Sequence, residues 1–363
     1  MNKKFIVTAM GLVLAGGMGL ANADVKIYGQ ITLELDAIDS DAPGFEDDIN
    51  MNSNTSSFGV KGSEDLGNGL SALFKLEWQA DPTQRAKSIT DRDQFIGLKM
   101  KRFGKVIFGT ASTAYKAPGK KIDPFYRTNL QSRQIGLQSN LHSGAGEQGE
   151  GRGENMVRYD SPKFNGFGVL ATYQFDNDKS GTSNPACGTA SDCDDDDPYS
   201  FGVTYKGGNF FAAASYISTQ QSGDAEAAQF MARYTWNALE FHGIYELDQG
   251  LITAQRSNGF TDSNGGRDGS AKDDGADIYS IGATYTIGNN VIGADWGQGS
   301  DSDGKDGINN NGGGDDVQEY DVWRIAAWHK FSKRTGVFAG YANTDYDIKG
   351  EDEIVTLGMR HKF

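Results

Sequence analysis

In the segment VKIYGQITLEL, Val25, Ile27, Gly29, Ile31, Leu33 and Leu35 share one face of an extended chain, and Lys26, Tyr28, Gln30, Thr32 and Glu34 share the other. Successive side chains of a strand point to opposite sides, so this alternation predicts a strand between two unlike surroundings. LSALFKLEWQ repeats it, with Leu70, Ala72, Phe74, Leu76 and Trp78 opposed to Ser71, Lys75, Glu77 and Gln79. YSFGVTYK, AQFMARYTW, DIYSIGATY and EIVTLGMRHKF follow the same rule, whereas DRDQFIGLKM and TGVFAGYAN give no clear facing. A tilted strand needs ~9–11 residues to cross a bilayer, and these segments are of that length.

Sixteen such segments start near Asp24, Thr55, Gly69, Arg92, Lys105, Gly153, Gly166, Pro198, Asn209, Ala228, Leu239, Asp277, Asn289, Glu319, Thr335 and Glu353. The links between them alternate in length. Short ones fall at LGNG, RFGK, KFNG, KGGN, WNAL, IGNN and SKRT, most with the Gly or Asn that a tight hairpin tolerates. Long ones fall around 37–53, 81–91, 112–152, 177–197, 220–227, 249–276, 299–318 and 346–352. Tight turns at one end and long loops at the other, with an even strand number, predict an all-β fold: a transmembrane antiparallel up-and-down β-barrel of 16 strands. A soluble β-sandwich gives no reason for such regular alternation.

Composition excludes the helical membrane proteins. The mean hydropathy is −0.54, and beyond the N-terminus no apolar run reaches span length. A barrel permits this, because only one face of each strand meets lipid.

The N-terminus reads as a secretory signal peptide over 1–23: a basic Met1-Asn2-Lys3-Lys4, the apolar FIVTAMGLVLAGGMGL, and the small-x-small Ala21-Asn22-Ala23. A membrane-anchoring helix is the alternative, but the run is short and rich in glycine. Cleavage leaves 24–363 as a single barrel domain, and the loss of two lysines takes the formal charge from −15 to −17.

Cys187 and Cys193 lie in the acidic stretch NPACGTASDCDDDD. Export to an oxidising compartment favours a small loop disulfide over a metal site, for which no histidine stands nearby. The other long loops, such as SNGGRDGSAKDDGAD and DSDGKDGINNNGGGDD, are acidic and glycine-rich. DSDGKDG lacks the ligand spacing of an EF-hand. No cofactor is expected; three readings of these loops stay open: specific calcium binding at DSDGKDG, which has some resemblance to a calcium loop, divalent cations bridging Asp192 and Asp194–Asp197 to anionic lipid headgroups, and a hydrated acidic surface.

Val355, Leu357, Met359, His361 and Phe363 alternate to the C-terminus, and the closing aromatic resembles the assembly signal of outer-membrane barrels. With Lys362, the ending GMRHKF is similar to the neisserial-type variant. VRYDSPKFNGFGVLATYQ (157–174) resembles the sixth strand, turn and seventh strand of the Gram-negative trimeric general-diffusion porin family, and KIYGQI and SSFGVKGSEDLGNGLSALFKLEW are similar to it too. The resemblance spans the whole mature chain. It implies a homotrimer in the outer membrane, contact with lipid and lipopolysaccharide, recognition of the C-terminal strand by the barrel-assembly machinery, and passive diffusion of small hydrophilic solutes. It also implies that the third extracellular loop, about 112–152, folds into the lumen.

A pore selects by its radius and the charges on its wall. The faces expected inward carry Lys26, Lys61, Lys75, Arg158, Arg233 and Arg324 against Glu34, Glu77, Glu246 and Asp295. The third loop carries Lys116, Lys120, Lys121, Arg127, Arg133 and Arg152 against Asp123, Glu147 and Glu150, a net +3 in a chain of the opposite sign. A weakly selective pore that leans toward anions at the neck is therefore expected. The alternative is a solute-specific channel for small anions or carboxylates, with Arg158 facing Lys120 and Lys121. A third reading has these lysines only holding the loop to the wall through Glu34 or Glu77. An enzyme is not expected: none of the four histidines, His142, His242, His329 and His361, has a motif-grade serine partner. Loops that serve as an adhesin or phage receptor are compatible with the sequence, which names no partner.

Overall fold

The computed structural model describes residues 23–42, 47–84, 89–143, 151–175, 197–219, 225–256, 275–302 and 317–363. The strands are β1 (Ala23–Ser40), β2 (Asp48–Asn52), β3 (Ser57–Gly67), β4 (Leu70–Gln79), β5 (Thr90–Met100), β6 (Gly104–Ser112), β7 (Arg152–Asp160), β8 (Phe167–Gln174) and β9 (Tyr199–Gly207). They continue as β10 (Phe210–Ser218), β11 (Glu226–Trp236), β12 (Leu239–Gln249), β13 (Ile278–Ile287), β14 (Asn290–Gly299), β15 (Tyr320–Lys330), β16 (Thr335–Tyr346) and β17 (Gly350–Lys362). From β3 onward each pairs antiparallel with its sequence neighbour, and β1 pairs with β17, so the sheet closes.

The second stave of the barrel is broken. One edge of β1 pairs with β17, while the other runs along β3 up to Gln30↔Ser57 and then along β2 from Glu34↔Asn52. β2 and β3 are thus two halves of one stave, interrupted at 53–56, and the barrel has sixteen staves. At the break a side chain takes over from the ladder: Ser56 Oγ accepts from Thr32 N at 2.9 Å and donates to Thr32 O at 3.1 Å. This corrects the expected first loop at 37–53, since β1 runs to Ser40 and Asp48–Asn52 is strand. The eighth long link at 346–352 is corrected as well. β16 ends at Tyr346 and β17 starts at Gly350, leaving a three-residue turn. The seven short turns stand where the sequence places them; Asn68 and Gly69, with φ of 51° and 75°, make the first of them.

The two faces separate sharply. On β1, Ile27, Ile31 and Leu35 are 76%, 47% and 46% exposed, whereas Thr32, Glu34 and Asp36 are at most 1% exposed. An apolar outer band against a polar interior is the inverse of a soluble fold. Phe103, Phe164, Trp236 and Phe331 stand exposed at the short-turn end, as an interfacial aromatic girdle requires. The two segments of unclear facing have physical causes. In β5 a bulge opposite Glu77 shifts the register between Gln94↔Leu76 and Asp91↔Trp78, so Arg92 and Asp93 together oppose one residue. In β16 the inward residues Phe338 and Ala342 are apolar and packed against the third loop rather than water.

That loop, described over 113–143, holds a short helix at Lys116–Gly119 and a single 3₁₀ turn at Asn140–His142. It bonds to residues of β1, β9, β11, β12, β13, β15, β16 and β17. A segment in contact with strands all around one closed barrel, β3 and β4 among them through Arg127, lies inside it. Its Phe125, Leu130 and Leu137 pack with Val322, Ala326, Trp328 and Phe338 of β15 and β16, and Ile122 packs with Phe211, Met231 and Ile244. The signal-peptide residues 1–22, Cys187 and Cys193, Asp192 and Asp194–Asp196, Glu147 and Glu150, and most of the calcium-like DSDGKDG lie outside the described residues.

Candidate functional site

Buried wall residues tie the loop down at several points. The Glu246 carboxylate of β12 accepts from Tyr115 OH (2.8 Å), Ser139 N (2.8 Å) and Ser139 Oγ (2.5 Å), so it gathers the outgoing and returning limbs. Arg324 of β15, fully buried, pairs with Asp123 of the loop at 3.3 Å and with Asp295 at 2.7 Å, and donates to Leu130 O. Asp295 also meets His242 at 2.6 Å. Arg360 of β17 donates to Tyr126 O (3.0 Å) and Arg127 O (2.7 Å) and stacks on the Trp328 ring at 4.7 Å. Glu34 accepts the Asn129 N–H at 2.7 Å. The loop is therefore fastened by arginines, backbone groups and buried carboxylates, and Lys120 and Lys121 pair with neither Glu34 nor Glu77.

The opposite side of the loop faces the wall of β3 to β7 across the remaining lumen. There three carboxylates each serve more than one cation. Glu77 meets Arg92 (2.6 Å), Lys75 (3.1 Å) and Arg127 (3.6 Å), and accepts from Tyr28 OH. Asp93 meets Lys75 (2.7 Å) and Arg152 (2.9 Å); Asp160 meets Arg158 (2.6 Å) and Lys105 (2.7 Å). Lys61 lies over the Tyr28 ring at 4.5 Å, and Arg133 over the Tyr126 ring at 5.0 Å. Among the described residues Lys61, Lys116, Lys120 and Lys121 have no carboxylate partner. The cations outnumber the acids, and the surplus converges on one stretch of wall and loop.

Electrostatics in the loop follow from this crowding. Burial, with Arg152, Arg133 and Arg92 close by, pulls the Lys116 ammonium well below the usual lysine value. Lys120 faces lumen water but is enclosed by barrel; burial, with Lys121 and Arg158 near, lowers it too. Burial alone would raise Tyr126, but Arg133, Arg127, Lys120 and Arg92 outweigh it and hold the phenol below the usual tyrosine value. Arg127 has a φ of 68°, a left-handed backbone that costs a non-glycine residue energy and is held here by Arg360 on its carbonyl.

Of the residues expected at the site, Lys75, Lys120, Lys121, Arg127, Arg133, Arg158 and Glu77 come together around this gap. Lys116 is buried behind it, while Asp123 and Glu34 serve as loop anchors. Lys26 pairs with Asp24 at 2.9 Å, both open to solvent, and stands directly opposite Lys61 of β3, which in turn stands opposite Lys75 of β4. Sequence reasoning missed Arg92 and Asp93, hidden by the bulge, and Arg360. Arg360 was accessible, since it alternates with outward Met359 and His361 and must face in.

Residues 8–349 match the family model described as Gram-negative porin. The major outer membrane protein P.IB of Neisseria sicca is 26% identical, covering 98% of this chain and 99% of the relative. An outer membrane porin protein of Bordetella pertussis is 27% identical over the full length of both. Among solved structures, the anion-selective porin from Comamonas acidovorans has a TM-score of 0.72 at 18% identity, covering 94% of this chain and 100% of that one. Salmonella typhi OmpF in complex with daunomycin has a TM-score of 0.65 at 16% identity, covering 93% and 97%.

Proposed function

The chain belongs to the Gram-negative porin family, and from that premise we propose that its outer-membrane diffusion channel is weakly selective and leans toward anions at the neck. Small hydrophilic solutes and ions pass by passive diffusion through the lumen. Membership speaks for a channel rather than an enzyme.

The observation that carries the selectivity is the sharing of Glu77, Asp93 and Asp160 among six pairing cations, with Lys61, Lys120 and Lys121 left over. Screening acts over ~8 Å at physiological salt, so an ion in the gap feels these groups while the acidic outer loops are largely screened from it. One unit charge at ~8 Å in water contributes about 0.5 kcal/mol, so a few uncompensated cations give a severalfold preference. Reversal potentials across a planar bilayer in a potassium chloride gradient test it. An anion-signed potential is expected, and a strong cation preference would overturn the reading. The second reading, a channel for small carboxylates, is favoured by the cationic gap around Tyr126; it requires saturable block of chloride current by a carboxylate such as malonate.

A homotrimer, contact with lipid and lipopolysaccharide, and recognition of the Phe363 end by the assembly machinery belong to the same proposal. So do a Cys187–Cys193 loop disulfide, a cleaved leader and divalent cations at the acidic loops. Cross-linking in detergent tests the trimer, and mass measurement before and after reduction tests the disulfide.

A further inference from the structure

Between the two limbs of the third loop, behind the neck, lies a cavity of about 10 Å³ bordered by Ser112, Lys116, Lys120, Tyr126, Arg133 and His142. That size admits about one water-sized particle. Three of its lining residues are cationic, and among the described residues no acid lines it.

Lys116 is the group that an anion there would neutralise. The residue is 7% exposed, and its ammonium, with three donors, makes one hydrogen bond, to Ser143 O at 3.2 Å. Its charged surroundings are Arg152, Arg133 and Arg92, with Asp93 the acid among them, and Asp93 is already held by Lys75 and Arg152. A buried ammonium among guanidinium groups must be neutralised, by losing its proton or by an anion. His142, 2% exposed, brings two ring nitrogens without a hydrogen bond to the same wall. The nearest other carboxylate, Glu246, sits 3.4 Å from its Nε2 and does not border the cavity. The Tyr126 hydroxyl faces the same group of cations.

We propose that this cavity binds one monatomic anion of chloride size, held by the Lys116 ammonium, Arg133 and the Tyr126 hydroxyl, as a structural counter-ion of the loop. The ion fastens the outgoing limb at Lys116–Gly119 to the returning limb at Gln138–His142, and so sets the width of the gap that permeating solutes pass. Such a resident ion is distinct from the permeating ones, because it would sit without its hydration shell against the buried Lys116 ammonium.

Crystals of the full barrel grown in sodium bromide and measured at the bromine absorption edge test it. An anomalous peak in contact with Lys116 Nζ is expected, and it should vanish in Lys116→Met. In detergent, the wild type should melt several degrees higher in sodium chloride than in sodium gluconate at equal ionic strength, because an ion bound to the folded state alone stabilises it. Lys116→Met should erase that difference; should that variant fail to fold, Arg133→Gln serves in its place. A cavity holding water or the Glu147 or Glu150 carboxylate with bromide found only in the open neck overturns the proposal, as does a chloride-dependent melting shift that survives both substitutions. Neither result bears on ion selectivity, so the diffusion reading stands or falls separately.

Discussion

The hydroxyl of Tyr115, at the start of the lumen loop, donates a 2.8 Å hydrogen bond to the carboxylate of Glu246 on β12, 131 residues away in sequence. Ser139, at the loop's far end, donates to the same carboxylate twice. One buried wall residue thus fixes both limbs. Glu246→Gln removes the charge that these donors share and places an amide N–H against one of them. A cost of about 3 kcal/mol is expected, since breaking a buried charged network leaves its partners unpaired. Tyr115→Phe should cost less, about 1–2 kcal/mol. Denaturant unfolding in detergent reads both, and single-channel recordings should show a noisier current in Glu246→Gln as the loop loosens.

The neck predicts a second outcome. Lys120 and Lys121 have no carboxylate partner among the described residues, so replacing both by glutamate changes the local charge without breaking an ion pair. At roughly 0.5 kcal/mol per unit charge, a change of four units shifts the anion-to-cation permeability ratio by tenfold or more toward cations. Lys101→Glu is the control: it is exposed in the tight turn between β5 and β6, at the far end of the barrel from the loop, and its reversal potential should stay close to the wild type.

How much of this was legible in the sequence depends on what each residue faces. Where a strand separates lipid from water, as β1 does, Ile27, Ile31 and Leu35 alternate with Thr32, Glu34 and Asp36, and both faces can be read. Where the lumen loop packs on the wall, the inner face is apolar as well. Val322, Ala326, Trp328 and Phe338 look no different from lipid-facing residues until Phe125 and Leu130 are seen against them. Arg92 and Asp93 were hidden because a bulge breaks the period of two that assigns facing. The cationic character of the loop was readable from its composition. Its anchors were not, because Glu246, Arg324 and Arg360 are far from it in sequence and nothing local selects them.

Alkaline pH should weaken the anion preference sooner than isolated lysine and tyrosine would suggest. Both Lys120 and Tyr126 titrate below their ordinary values, and in both cases the lost proton removes positive charge from the gap. The reversal potential should fall at a pH below that at which free lysine and tyrosine ionise. Lys120→Arg should keep more of the preference across that window, and Tyr126→Phe should remove the tyrosine's part. Stability moves the other way. With both folded-state values lowered, the unfolded chain holds more protons between the folded and ordinary values, so unfolding becomes harder as pH rises through that interval. A Tm that fell across it would contradict the assignment.

Closure of the barrel depends on a glycine meeting the C-terminal aromatic. Gly29 and Phe363 exchange backbone hydrogen bonds of 3.1 and 3.0 Å, and a Cβ on residue 29 would lie 2.4 Å from Phe363 Cζ and 2.7 Å from Ser57 O. The ring covers the glycine on the outer face, where Phe363 is 48% exposed. Phe363→Ala keeps the two backbone bonds and loses only this cover, so the purified chain should still refold into detergent, weaker by about 1 kcal/mol. Gly29→Val displaces the ring and presses on the β3 backbone, so it should lower the yield of the heat-modifiable folded band on electrophoresis more than Phe363→Ala does. In the double variant the ring clash is gone but the contact with Ser57 O remains, so the yield should recover only in part. Full recovery would mean that the ring alone demands glycine at position 29, and no recovery would mean that the β3 backbone does.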